Sequence, residues 1–327
     1  MMKITVFIPT YRRPQDLARC LLALKQQTRT ADQVIVVVRD SDTETWTMLK
    51  DFDTDPLPLD TVSVSVPGVV AAMNAGLDAA LGDIIATTDD DAAPHPYWLE
   101  RMEAHFLSDS RVGGVGGRDW QYVGDQLKEL GEYEIVGRLQ WFGRMIGNHH
   151  LGVGGPREVD VLKGVNMGYR RSAISNMRFD ERLLGTGAQV HFELAFTLAL
   201  KRKGWKIIYD PLVAVDHYPA QRFDEDQRDN FNDIAVSNMV HNETLALLEH
   251  FPPVQRAVFF LWAIFVGTRD AFGLLQFLRF LPKEGAIAGR KWLASMGGRW
   301  QGWQTWQRSL GELKPLAPSS QRDLGLG

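Results

Sequence analysis

Three consecutive aspartates, Asp89 to Asp91, follow a short apolar run in the stretch GDIIATTDDDAAPHPYW, residues 82–98. Ile84, Ile85 and Ala86 with the β-formers Thr87 and Thr88 are too few for a helix, so Asp83 to Thr88 reads as a buried strand. The carboxylates then sit at the C-terminal end of that strand, where open α/β sheets bind their ligands. Adjacent carboxylates repel one another and keep their charge only if solvated or paired with cations. Hard oxygen donors of this kind suit Mg²⁺ or Mn²⁺, and a solvated acidic turn is the plainer alternative.

The segments before the triplet set the fold class. Lys3 to Ile8 predicts a strand, Pro14 to Gln27 a helix with Leu17, Leu21, Leu22 and Leu24 on or near one face, and Gln33 to Val38 a strand covered on both sides. Thr43 to Phe52 and Gly68 to Leu81 predict two more helices. Between these, Thr61 to Val66 alternates apolar and polar residues, which places it near a sheet edge. This β-α-β order predicts an α/β domain with a Rossmann-like, mainly parallel central sheet flanked by helices. Val112 to Gly117, VGGVGG, lacks the dinucleotide-binding spacing and reads as a strand and turn.

The loops after the strands gather on one side of such a sheet. Pro9, Thr10, Tyr11 and Arg12 follow the first strand, and Asp40 follows the second. Asp40 could accept hydrogen bonds from a base or ribose, and Arg12 or Arg39 could face phosphates; each is equally a turn residue. The irregular, glycine-containing stretch 120–155 reads as an acceptor-side loop region, where His149 and His150 are read as polar surface.

Composition narrows the class. With 36 Lys and Arg against 40 Asp and Glu, a net charge of -4 gives no footprint for nucleic acid. A single cysteine, Cys20, excludes an internal disulfide and fits a reducing compartment. The N-terminus, MMKITVFIPTY, runs directly into a strand without a signal-peptide pattern.

Taken together, FIPTYRRP, VIVVVRDSD and AAMNAGLDAALGDIIATTDDDAAPHPYWLE resemble the N-terminal half of a family 2 glycosyltransferase with the GT-A fold. The likeness continues in order through GVNMGYRRSAI at 164–174, residues 178–205, and YDPLVAVDHYP at 209–219. It implies a nucleotide-diphosphate sugar donor, a divalent cation (Mn²⁺ or Mg²⁺), and inverting transfer to an acceptor hydroxyl in polysaccharide or glycolipid biosynthesis. The triplet resembles the family's D-x-D motif: the match makes Asp91 a metal ligand and sets Asp89 and Asp90 on ribose or diphosphate oxygens, with the register open by one position. His217 resembles the histidine that supplies a second metal ligand in many relatives.

Glu193, in the first turn of a helix predicted over Val190 to Lys203, takes the place of the family's catalytic base. Where relatives carry an E-D pair, this chain has Phe192-Glu193, so the first acid is missing. A second departure is at Met73-Asn74, where many relatives have Lys or Arg before the Asn; phosphate contact there falls to backbone N–H groups or Asn74. Lys163 to Met167 resembles the acceptor-side turn, with Asn166 offering both donor and acceptor atoms. Two alternatives remain: a catalytically degenerate nucleotide-sugar-binding scaffold, and a nucleotidyltransferase, against which the glycine-free loop after the first strand counts.

The expected domains are 1–221, catalytic, with a donor half 1–117 and an acceptor half 118–221; 222–314, helical; and 315–327, a loose tail. Asp224 to His250 reads as one long helix broken by Pro252-Pro253. Val258 to Val266 is apolar all round but too short to span a bilayer, and Ala271, Leu274, Leu275 and Leu278 continue an apolar stripe. From Gly285 to Gly311 basic residues alternate with Trp292, Trp300, Trp303 and Trp306, a pattern an anionic leaflet favours. Membrane surface contact through 254–311 is therefore expected, on the cytoplasmic face, with a glycan or lipid-linked acceptor; packing on the catalytic domain or a homo-oligomer partner is the alternative.

Overall fold

The computed structural model describes residues 1–124, 126–128, 131–227 and 231–312; the tail expected at 315–327 lies outside these. Its centre is a ten-stranded mixed sheet. The chain enters it at β1 (Ile4–Thr10), crosses through α1 (Pro14–Lys25) to β2 (Gln33–Arg39), and through α2 (Thr43–Asp51) to β3 (Leu59–Val64). Next, α3 (Val69–Ala79) returns it to β4 (Ile84–Thr88), a strand with every residue buried. These four strands are parallel in the order β3-β2-β1-β4. Both faces of β1 and β2 are covered, which is why their sequences are nearly unbroken apolar runs. As its alternation predicts, β3 forms the edge.

After β4 the topology reverses. A short strand, β5 (Ala92–Pro94), leads to α4 (Trp98–Ser108) and the long β6 (Val112–Val123), twice the length read from its glycines. The next sheet strand, β7 (Asn166–Arg170), lies antiparallel between β4 and β6. Beyond α5 (Phe192–Arg202), β8 (Lys206–His217) runs parallel to β6. Its last residues turn back on β5, pairing His217 with Ala92 and Val215 with Pro94. Neither β5 nor α4 stands out in the sequence, because a three-residue strand has no periodicity to read.

Helices cover both faces. Leu17, Leu21 and Leu24 of α1 and Trp98, Leu99, Met102 and Phe106 of α4 pack in one core; Met73 and Leu77 of α3 and Phe196 and Leu200 of α5 pack in the other. The expected helix over 224–250 begins nine residues late, as α6 (Asp233–His250), where the Asn232 side chain accepts N–H bonds from Ile234 and Ala235 at 2.8 and 3.2 Å. A third core joins Leu194 and Leu198 of α5, Leu247 of α6, and Phe259 and Ala263 of α7 (Pro253–Phe265). Two helices complete the described chain, α8 (Leu274–Glu284) and α9 (Ala286–Glu312). Among the described residues no helix is long and apolar enough to cross a membrane.

The docking of α9 on α6 depends on two small residues. A Cβ on Gly302 would sit 2.7 Å from the His241 carbonyl oxygen, and one on Gly298 would collide with the Ser237 carbonyl. His241 Nε2 and Thr305 Oγ1 meet across the same contact at 2.9 Å. Gly302→Val is expected to separate these backbones and cost about 1–3 kcal/mol. A thermal melt should show the transition several degrees lower, and an unchanged melt would mean that α9 does not need this close approach.

Candidate active site

The pairing of β5 with β8 builds the site. It sets the C-terminal end of β4 beside that of β8, so the backbone N–H of Tyr218 donates to the Asp91 carbonyl at 2.9 Å and that of Ala220 donates to Asp91 Oδ2 at 2.9 Å. One carboxylate oxygen from Asp89, one from Asp91 and an imidazole nitrogen of His217 then lie within 4.8 Å of one another. His217 Nε2 is 3.4 Å from Asp91 Oδ1 and, though buried, makes no hydrogen bond of normal geometry. Two hard oxygens and an imidazole nitrogen form a donor set that fits Mn²⁺ or Mg²⁺. Asp91 and His217, which the sequence match set on the metal, and Asp89, which it set on the donor, thus stand in one donor set.

On its other nitrogen, His217 Nδ1 stands 3.4 Å from Asp119 Oδ2, and Asp119 is fully buried on β6. Lys163 Nζ donates to the same Asp119 oxygen at 2.5 Å. A carboxylate behind a ligating imidazole fixes its orientation and raises its basicity. Burial disfavours the charged imidazole, but Asp119 and Asp91 outweigh that and raise the His217 pKa. Burial likewise opposes ionisation of Asp119 and Asp91; Lys163 and His217 hold the first well below the usual carboxylate range, and His217 and Arg13 hold the second there.

The middle aspartate has a different role. Asp90 accepts from Thr10 Oγ1 at 2.8 Å and from the Arg13 guanidinium at 2.8 Å, and burial pushes its carboxyl up to about 7 against their pull. Arg13 also lies 3.7 Å from Asp91 and donates to the Gln221 carbonyl at 2.9 and 3.1 Å. It ties the end of β4 to the segment that follows β8.

Above these groups opens a cavity of about 340 Å³. Pro9, Thr10, Tyr11, Arg13, Asp89 and Asp90 form one side, and Thr186, Ala188, Phe192 and Asp224 lie across from them. Asp224 Oδ2 accepts from the Ala188 N–H at 2.7 Å, which fastens the segment after β8 to the loop before α5. That loop is strained: Gln189 and His191, neither a glycine, have φ of 40° and 77°. Its Gln189 Oε1 accepts the Val70 N–H at 2.9 Å and so caps α3.

Not every residue singled out in the sequence reaches the cavity. Arg12 has φ 58°, its N–H donates to Asp42 at 2.5 Å, and its neighbour Arg13 lines the cavity instead. Asp40 is exposed at the end of β2, 4.0 Å from Arg39, and it is Arg39 that lines the cavity. Asn74 spends both side-chain atoms on the Phe179 backbone, donating to its carbonyl at 3.0 Å and accepting from its N–H at 2.8 Å. Asn166 is used in the same way: it accepts from Trp98 Nε1 at 2.8 Å and donates to the Val213 carbonyl at 2.7 Å. Both amides are buried clamps between elements. His149 is buried with Nε2 2.9 Å from the Val161 carbonyl, and burial lowers its pKa to about 4.

Glu193 is half-buried in the first turn of α5, beside the cavity-lining Phe192. Burial raises its pKa, His191 and Lys163 pull it down, and Asp89 adds to the rise, so it lies within electrostatic reach of the triplet. Asp119, Lys163 and Arg13 went unrecognised in the sequence. Asp119 in GGRDW carries no local signal, because the β6–β8 register that brings it near His217 is tertiary, and the partnership of Lys163 in KGVNM with Asp119 is a side-chain contact between distant parts of the chain.

A family model described as Glycosyl transferase family 2 matches residues 5–178. Glycosyltransferase AglE of Haloferax volcanii is 33% identical over 118 residues, 35% of this chain and 38% of that protein. The glucosyl-dolichyl phosphate glucuronosyltransferase of the same organism is 24% identical over 226 residues, 66% of this chain and 69% of that protein. The chain thus spans well under half the length of the first relative. The fold is similar to that of the mannosyltransferase PcManGT from Pyrobaculum calidifontis, solved with GDP-Man and Mn²⁺, at a TM-score of 0.57 and 17% identity over 94% of this chain and 85% of that one. The GT-A type of α/β sheet expected from the sequence is the fold observed.

Removing the Asp119 carboxylate without changing its shape should leave His217 less well oriented. In Asp119→Asn, Mn²⁺ affinity measured by titration is expected to fall about 10- to 100-fold. Wild-type affinity in this variant would show that Asp119 serves only to pair Lys163.

Proposed function

The chain belongs to glycosyl transferase family 2, and on that premise we propose that it transfers a sugar from a nucleotide-diphosphate donor to an acceptor hydroxyl, with inversion at the anomeric carbon. The observation that carries this reading is the convergence of Asp89, Asp91 and His217 at the C-terminal edge of the sheet, beside a cavity large enough for part of a nucleotide sugar. Catalysis is assigned to residues 1–221, and 222–314 to a helical appendage.

Asp89, Asp91 and His217 are the residues that would hold Mn²⁺ or Mg²⁺, whose charge neutralises the diphosphate leaving group when bound. Asp119 and Lys163 keep the imidazole turned toward the carboxylates. Arg13, already charge-paired with Asp90, brings a guanidinium to the cavity wall where the donor's phosphates would lie. Tyr11 and Arg39 lie on the same wall, and Arg39 sits over the Tyr11 ring at 5.7 Å, a flat surface suited to the base. Glu193 is the base: as the acceptor oxygen bonds to the anomeric carbon and the diphosphate leaves, its carboxylate takes the hydroxyl proton. Its raised pKa strengthens it as a proton acceptor.

The relative named for glucosyl-dolichyl phosphate supports the reading of a lipid-linked acceptor, met at a membrane surface on the side that holds nucleotide sugars. A catalytically silent nucleotide-sugar-binding protein is the second reading. Phe192 favours it, because an aromatic ring that lines the cavity stands where relatives carry an acid.

Calorimetric titration with UDP, GDP and dTDP tests the donor site. One diphosphate should bind in a Mn²⁺-dependent way and lose that dependence in Asp91→Ala; no binding under any condition would defeat the transferase reading. Glu193→Gln should keep that binding and lose about 10²–10⁴-fold in turnover, whereas equal rates for variant and wild type would favour the silent reading. Because Glu193 must be ionised to act, the rate should fall as pH drops through a pKa above the roughly 4.3 of an ordinary glutamate. A kcat/KM profile with no acid limb above that value would remove Glu193 from the role.

A further inference from the structure

The sequence pointed both to the apolar stripe of Leu274, Leu275 and Leu278 and to the tryptophans of α9 as membrane-facing, but the structure turns most of the tryptophans inward. Trp292 stacks on Phe277 at 5.3 Å, and Trp303 and Trp306 pack against the core shared by α5, α6 and α7. The unpartnered apolar surface lies on the preceding helices. On α8, Leu274, Leu275, Leu278 and Leu281 are 38% to 54% exposed along one stripe, and no residue of that helix is buried. Phe277 and Phe280 face the opposite way, against Trp292 and Phe272. On α7, Val254, Leu261 and Phe265 are 56% to 74% exposed at a spacing of seven and four, while Phe259 and Ala263 are buried. A tight turn, in which Thr268 N–H donates to the Ala271 carbonyl at 2.9 Å, joins the two helices.

Charge selects the occupant. Between Pro253 and Gly311 stand eight Lys and Arg and only two Asp and Glu, in a chain whose net charge is -4. Of the two acids, Glu284 is paired with Lys291 at 2.8 Å. Arg279 and Lys283 are exposed and border the leucine stripe of α8. A leucine face edged by basic residues suits an anionic bilayer surface, whereas a second copy would bring the same positive charge against itself.

We propose that the exposed face of α8, continued by that of α7, seats the protein in the interface of an anionic leaflet. This face is also connected to the acceptor side. Phe142 contacts Trp262 of α7 with ring centroids 5.2 Å apart, and a Cβ on Gly143 would run into the Phe259 ring. Val161, two residues before Lys163, shares the core of Leu194 and Phe259. A leaflet under α7 and α8 therefore lies next to the wall that the acceptor must approach, which selects an acceptor carried on a lipid; that last step rests on the transferase reading above.

The test is flotation of the full chain with phosphatidylcholine vesicles, with and without phosphatidylglycerol. The wild type is expected to float with the anionic vesicles and to come off as salt rises. Leu275→Glu with Leu278→Glu should lower the partition on the order of 100-fold, and Arg279→Glu with Lys283→Glu about tenfold or more. Both variants should keep the wild-type melt and diphosphate binding. Wild type that ignores both kinds of vesicle, or leucine-face variants that float as well as wild type, would overturn the proposal. A wild-type dimer that does not float and that Leu278→Glu dissolves would assign the face to a second copy instead. Flotation without any diphosphate binding would leave the surface standing and bring down the transferase reading alone.

Discussion

The structure depends on keeping three buried carboxylates charged or paired within a few ångströms of one another. Asp90, Asp91 and Asp119 are each at most 2% exposed, and an uncompensated charge there would cost several kcal/mol. Compensation comes from separate parts of the chain: Arg13 from the start of α1, Lys163 from the turn before β7, His217 from the end of β8, and the Ala220 N–H from beyond it. The partners come from three separate places in the sheet, so the charge cluster is satisfied only when the strand order is correct. The same feature makes the site ready for a cation. With Asp91 and Asp119 held ionised by Arg13, Lys163 and His217, little further change is needed for a metal to take the place of the imidazole proton.

Arg13 does more than neutralise. By holding the Gln221 carbonyl while it pairs with Asp90, it draws the segment 218–227 toward the donor cavity. Asp224 on Ala188 and Glu225 on Thr186 hold the far end of that segment to the strained loop before α5. The cavity wall is thus closed by polar contacts, many of them part-buried or exposed, rather than by core packing. Such contacts open at lower free energy than strands or helices do.

The fold was legible in the sequence wherever burial on both faces produces an unbroken apolar run. Val34 to Val38 and Ile84 to Thr88 could hardly be anything but inner strands, and their order in the chain implied a parallel sheet. The aspartate triplet and His217 were legible as chemistry. The rest was hidden for definite reasons. Asp119 meets His217 only through a strand register set by tertiary packing, and Lys163 reaches Asp119 from 44 residues further along the chain. Asn74 and Asn166 looked like ligand contacts because an amide has a donor and an acceptor in either role, and only the backbone opposite shows that both are spent inside. The tryptophans of α9 were misleading for a similar reason, since a residue rich in apolar surface with one polar atom suits a leaflet and a helix interface equally well.

Phe192 shows why one local departure from the family pattern reaches far. Its ring meets Phe179 at 5.7 Å and lies against Gly164, where an added Cβ would come within 2.9 Å of it. An acid at this position would have to be desolvated among these rings, close to Asp89 and Glu193, without a cation of its own. The aromatic removes that cost. It also leaves Glu193 as the one carboxylate at the start of α5, its pKa raised by burial and by Asp89. Losing the first acid leaves a single carboxylate in the first turn of α5, directly after a backbone strained at Gln189 and His191.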